Sequence, residues 1–156
     1  MSLHVVLVEP EIPQNTGNIA RTCAATNTTL HLVRPLGFNI DEKSVRRAGL
    51  DYWRYVDLIV HDSMDKFLSE YGNARLFLAT THGDNCYTDF EYEDGDMFLF
   101  GRETRGLPKE LIGNYNDTAI RIPMSENTRL RSLNLANSVN IVLFEALRQN
   151  GFPGLL

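Results

Sequence analysis

Leu3-His-Val-Val-Leu-Val-Glu-Pro-Glu-Ile-Pro-Gln-Asn-Thr-Gly-Asn-Ile-Ala-Arg-Thr-Cys-Ala-Ala-Thr-Asn-Thr-Thr-Leu-His-Leu-Val33 is the stretch on which the fold turns. Two short apolar runs, Leu3–Val8 and Leu30–Val33, flank a segment where Ile19, Ala20, Cys23 and Ala24 recur at helical spacing. The runs are continuous rather than alternating, which suits strands covered on both faces. A strand, a helix and a second strand over this length make a βαβ unit, and hence a parallel sheet.

The same alternation continues outward. Val56–Val60, Leu76–Ala79, Met97–Phe100 and Ala119–Ile122 read as further strands. Helices are expected over about Thr16–Thr26, Lys43–Gly49, Ser63–Tyr71, Pro108–Gly113 and Ser132–Asn150. In the last of these, Leu135, Val139, Val142, Leu143, Ala146 and Leu147 form an apolar stripe. Ser132 is the expected cap, and Gly151 followed by Pro153 the stop. Residues 124–131 are polar and aperiodic and read as a loop. The expected architecture is α/β, a mainly parallel sheet sandwiched by helices.

The chain has 156 residues, enough for one domain spanning 1–156. Hydrophobic residues make up 43% and charged residues 22%, the balance of a soluble globular protein. The first residues lack the basic region of a signal peptide, and no run is long enough to span a bilayer, so a cytoplasmic location is expected. Cys23 and Cys86 form no CxxC motif, and His4, His31, His61 and His82 lie scattered, so neither a disulfide nor a metal site is expected. A net charge of −5 argues against a broad basic nucleic-acid surface. Local clusters remain: Lys43 with Arg46 and Arg47, Arg102 with Arg105, and Arg129 with Arg131. Taken alone, these clusters are better accounted for as ordinary surface charge.

Three segments can carry chemistry. In the first, Asn15, Asn18 and Arg21 are spaced by three at a helix start, where amides, a guanidinium and free backbone N–H groups can hold a phosphate; a capped, solvated face is the alternative. The second, Gly101-Arg-Glu-Thr-Arg-Gly-Leu-Pro108, follows a strand directly. Ligands in open α/β sheets bind beyond such carboxyl ends. Gly101 permits close backbone approach, and Glu103 can accept a hydrogen bond; a tight connection using glycine for turn geometry alone is equally consistent. The third is Ile122-Pro-Met124 with Ser132-Leu-Asn-Leu-Ala-Asn137. Asn134, Asn137 and Asn140 are poor helix formers whose cost calls for compensation by ligand or packing. No G-x-G-x-x-G, Walker A or G-x-S-x-G sequence is present, which disfavours a dinucleotide site, a phosphate-loop NTPase and an α/β-hydrolase.

At these three segments, taken in order, the chain resembles the SpoU–TrmD (SPOUT) methyltransferases, and most closely their short TrmL/YibK-like branch. Ala48-Gly-Leu-Asp-Tyr52 resembles that branch too. The resemblance implies a C-terminal trefoil knot and a homodimer whose substrate site draws on both subunits. It implies S-adenosylmethionine bound near Ala79, Thr80, Gly101, Ile122, Met124, Ser132, Leu133 and Asn134. It implies 2′-O-methylation of the wobble nucleotide, a cytidine or modified uridine, in leucine tRNAs, with the anticodon stem-loop as substrate. Arg21, Asn15, Asn18 and Glu103 would form the catalytic group. Arginine stays protonated far above neutral pH, so Arg21 is expected to act as an electrostatic activator rather than a literal base. The loop 125–131 is slightly longer than the family pattern, and Arg129 and Arg131 receive no catalytic role. Methylation of ribosomal RNA, a non-catalytic RNA-binding protein of the same fold, and an unrelated nucleotide-binding enzyme are the competing readings.

Overall fold

The computed structural model describes residues 2–40, 50–127, 129 and 132–156. The helix expected over Lys43–Gly49, and the basic cluster within it, lie outside these residues, as does Arg131. Among the described residues, seven parallel strands form one sheet: β1 (His4–Val8), β2 (Thr29–Val33), β3 (Asp57–His61), β4 (Leu76–Ala79), β5 (Asn85–Cys86), β6 (Met97–Phe100) and β7 (Ala119–Arg121). Their order is β3-β2-β1-β6-β4-β7-β5. Six match the apolar runs; β5, two residues long, has no such run and was not expected.

Successive side chains of a strand point to opposite faces, and both faces are covered. Val5, Leu7, Leu30, Leu32, Phe98 and Phe100 pack with Ile19, Ala20 and Cys23 of α1 (Pro13–Ala25) and with Val139, Val142, Leu143 and Ala146 of α4 (Leu135–Gln149). Val6, Val8, Val33, Leu78, Met97 and Leu99 pack with Phe67 of α2 (Met64–Tyr71) and Leu111 of α3 (Lys109–Asn114). This is why the strands are apolar without alternation. Both cysteines are free, Cys23 fully buried on the inner face of α1.

Local signals set the helix ends. Ser63 caps α2 by accepting from the Lys66 N–H. The stop of α4 is a Schellman turn: Phe152 N–H donates to Leu147 C=O at 2.8 Å, Gly151 N–H to Arg148 C=O at 3.1 Å, and Gly151 has φ of 74°. The start of α4 differs from expectation. The helix begins at Leu135, and Asn134 rather than Ser132 is the cap, its Oδ1 accepting from Asn137 N–H at 3.2 Å. Asn134 is therefore at a cap, where asparagine is favoured, and carries no helix-propensity cost.

The parallel register also draws three of the scattered histidines into a line. His4 Nδ1 lies 2.9 Å from His31 Nε2, and His31 Nδ1 lies 2.9 Å from His61 Nε2. His61 Nδ1 is 3.9 Å from Glu70 Oε2. His31 and His61 stack, and Phe67 and Tyr71 meet both edge-on. One set of neutral tautomers satisfies the chain: His4 donates to His31, His31 to His61, and His61 points its remaining N–H toward Glu70. Burial, reinforced by the two neighbouring rings, pushes the His31 pKa down to about 3. Burial lowers His4, against the pull of Asp57 and Asp94, and His61, against Glu70.

Candidate functional site

α1 begins without the usual means of satisfying a helix start. Pro13 stands at the first position, Ile12 offers no side-chain cap, and the first turn contains no acid. The missing negative group comes from 91 residues away in sequence. Glu103, in the turn after β6, accepts from Glu11 N–H at 2.8 Å and from Ile12 N–H at 3.1 Å. A carboxylate there also complements the positive end of the helix dipole. The contact is reciprocal: Glu11 Oε1 accepts from the N–H and the hydroxyl of Thr104, at 3.1 and 2.8 Å. These bonds, with Arg102 and Arg105 nearby, hold the Glu11 carboxyl below its usual range. Neither Glu11 nor Thr104 stood out in the sequence.

The phosphate expected at this helix start thus has a competitor, the Glu103 carboxylate. The three spaced polar residues also divide. Asn15 is buried, and its Oδ1 accepts from Asn134 Nδ2 at 3.1 Å; Asn18 and Arg21 face solvent. Steps of three rotate about 60° backward around a helix, so the first and third residues sit roughly 120° apart. The start of α1 is therefore bonded to both other segments, Glu11 and the cap residue Ile12 to Glu103 and Asn15 to Asn134. All three converge.

Gly101 has a cause different from ligand clearance. A Cβ there would lie 2.0 Å from Gly106 C and 2.1 Å from Leu107 N. The turn folds back on itself, Arg102 and Gly106 exchanging backbone hydrogen bonds of 3.2 and 2.8 Å, with Gly106 at φ 68°. The space beside Gly101 belongs to its own turn.

The remaining residues expected at a cofactor lie as follows. Ala79 ends β4 and Thr80 follows it; Ile122 and Met124 follow β7; all four are half-buried. β6, β4 and β7 are adjacent and parallel, so their carboxyl ends open side by side. The Thr80 N–H is used by Ile120 C=O, and its hydroxyl accepts from His82 N–H. Ser132, Leu133 and Asn134 are exposed on the approach to α4. This set is uncharged: aliphatic groups beside hydroxyls and an amide. It suits a neutral base and a ribose better than a polyphosphate. Among the described residues, no group of three or more His, Cys, Asp or Glu could hold a metal ion.

The profile of the SpoU rRNA Methylase family matches residues 2–144. The chain belongs to the SpoU methylase family. This SpoU-family chain is 49% identical to a Burkholderia cenocepacia protein named tRNA (cytidine(34)-2′-O)-methyltransferase, with 97% of each chain covered. A Methylovorus glucosotrophus protein of the same name is 46% identical, covering 96% of this chain and 97% of its own. Among solved structures, one described as giving insight into 2-OH methylation of C/U34 on tRNA superposes with a TM-score of 0.90 at 46% identity, over 96% of this chain and 97% of that one. An AdoMet-bound rRNA methyltransferase from Sinorhizobium meliloti superposes with a TM-score of 0.83 at 26% identity, over 94% of this chain but 56% of the other.

Proposed function

We propose that this chain is a single-domain, S-adenosylmethionine-dependent methyltransferase of the ribose 2′-hydroxyl at nucleotide 34, a cytidine or modified uridine, in tRNA, leucine tRNAs among them. The observation that carries the proposal is the convergence of three segments on the start of α1, through Glu103 with Glu11 and Ile12 just before the helix and through Asn134 with Asn15. The likeness to C34 methyltransferases over nearly the whole chain supports the substrate. The AdoMet-bound neighbour supports the cofactor, and the close superposition on SpoU-family structures supports a knotted C-terminal part.

Ala79, Thr80, Ile122, Met124, Ser132 and Leu133 would hold the cofactor, with Gly101 keeping the intervening turn tight. When bound, S-adenosylmethionine supplies an electrophilic methyl group. The chain's own residues do the rest. Arg21, exposed on α1, places a permanent cation beside the ribose and its phosphate, which favours the ionised hydroxyl and fixes its position. Asn18, one turn earlier, orients the nucleotide. Asn15 and Glu103 act as positioning residues, because their polar atoms are engaged within the protein.

We further infer a cytoplasmic homodimer whose substrate site draws on both subunits. Ile12, whose N–H bonds Glu103, and Leu133, next to Asn134, are each 41% exposed, and Phe144 of α4 is 44% exposed. Apolar groups left open beside a site suit coverage by a second copy.

The test is methyl transfer from labelled cofactor to total RNA from a strain lacking the enzyme, with mass-spectrometric mapping of the product. Wild-type protein should methylate nucleotide 34, and Arg21→Ala should lose at least about a hundredfold in rate, the scale of one transition-state charge contact. Methylation mapping to ribosomal RNA, or to no RNA, would overturn the assignment.

A further inference from the structure

Arg21 is held in an unusual way for a surface arginine. Its Cζ lies 5.0 Å from the centroid of the Tyr52 ring, over the ring. None of the ion pairs formed among the described side chains involves Arg21. Tyr52 belongs to the 3₁₀ helix Leu50–Tyr55, which packs against α1. The next residue, Trp53, is half-buried against the core that α1 and α4 share, so the element is anchored while Tyr52 stays 37% exposed.

The chemistry of this contact differs from that of a salt bridge. A carboxylate would take up the N–H edge of the guanidinium and cancel its charge. An aromatic face attracts the cation without cancelling its charge and without tying its donors to a carboxylate. A long side chain with many rotamers is thereby restrained, while charge and donors stay available to an incoming ribose and phosphate.

We propose that Tyr52 is a positioning residue for the methyl transfer, acting through Arg21 by presenting its ring as a platform. The proposal rests on the role given above to Arg21. An exposed cation–π contact sets the scale of the effect at roughly two- to fivefold. Tyr52→Leu should lower kcat by that factor at saturating tRNA, with S-adenosylhomocysteine affinity and thermal midpoint unchanged. Tyr52→Phe, which keeps the ring, should restore kcat. In an Arg21→Lys background, whose ammonium lacks the planar guanidinium, Tyr52→Leu should cost less than in wild type, giving a coupling energy in a double-mutant cycle.

Wild-type kcat in Tyr52→Leu would overturn the proposal. So would a loss in Tyr52→Phe as large as in Tyr52→Leu, since the hydroxyl would then be responsible. So would equal losses in both Arg21 backgrounds, or loss of S-adenosylhomocysteine binding, which would mark a role in folding. Full turnover in Arg21→Ala is a separate result; it would refute the role of Arg21 itself.

Discussion

Acidification should destabilise this protein well above the range where carboxylates titrate, because three histidines are locked neutral in the fold. The folded pKa of His31 is depressed from 6.5 to about 3, and those of His4 and His61 are lowered too. A depressed histidine means that the unfolded chain binds the proton more tightly. Stability is therefore complete above about pH 6.5 and is lost as pH falls toward the folded value. At about pH 5.5, one unit below 6.5, His31 alone should cost roughly 1.4 kcal/mol relative to about pH 7.5. His4 and His61 add in the same direction. One extra proton fits the chain with every N···N contact intact; a second would place two hydrogens in one contact and break it. Asp57, Asp94 and Glu70 favour that first proton and soften the onset. Asp96 is raised and works with the opposite sign. Urea denaturation at fixed protein concentration should show the midpoint falling by about 0.5–1 M between the two pH values. His31→Gln, which can donate and accept but does not titrate, should flatten the difference. Equal wild-type midpoints at the two pH values, or an undiminished drop in His31→Gln, would refute the reasoning.

Two further outcomes are expected. Asn134→Ala removes both the α4 cap and the bond to Asn15, and should cost about 1–2 kcal/mol, read as a lower urea midpoint, together with weaker S-adenosylhomocysteine binding by calorimetry. Gly101→Ala forces a methyl group into the Gly106–Leu107 backbone and should disrupt the turn, releasing Glu103 from α1; the soluble yield and the thermal midpoint should both fall sharply.

Element type was readable in the sequence wherever burial is two-sided. Val5 to Val8 and Leu30 to Val33 are apolar at every position but His31, because α1 and α4 cover one face and α2 and α3 the other. β5 was not readable, since Asn85 and Cys86 are too few to make a pattern. Sequence spacing singles out candidate residues but not their partners. Glu103 was chosen as an acceptor, yet nothing near it in sequence names Glu11 and Ile12. Asn134 was read as a helix residue and is a cap that also reaches Asn15. In the sequence His4, His31 and His61 lie scattered, because their line exists only once parallel register brings β1, β2 and β3 together. What sequence spacing conveys is local. The site is made of contacts between residues some 90 to 120 apart.

The central position of β1 also dictates how the chain can be made. Its neighbours on one side follow soon, as Val6 pairs with His31, but its other edge waits for β6, where His4 meets Met97. During synthesis the ribosome therefore releases a β1-β2-β3 sheet whose future middle is still a rim. That rim displays unpaired N–H and C=O groups flanked by valine and leucine. Until β6 emerges, the nascent chain is exposed to the wrong strand, from itself or from a neighbouring polysome, and a slow stretch of translation between residues 61 and 97 would lengthen the exposure.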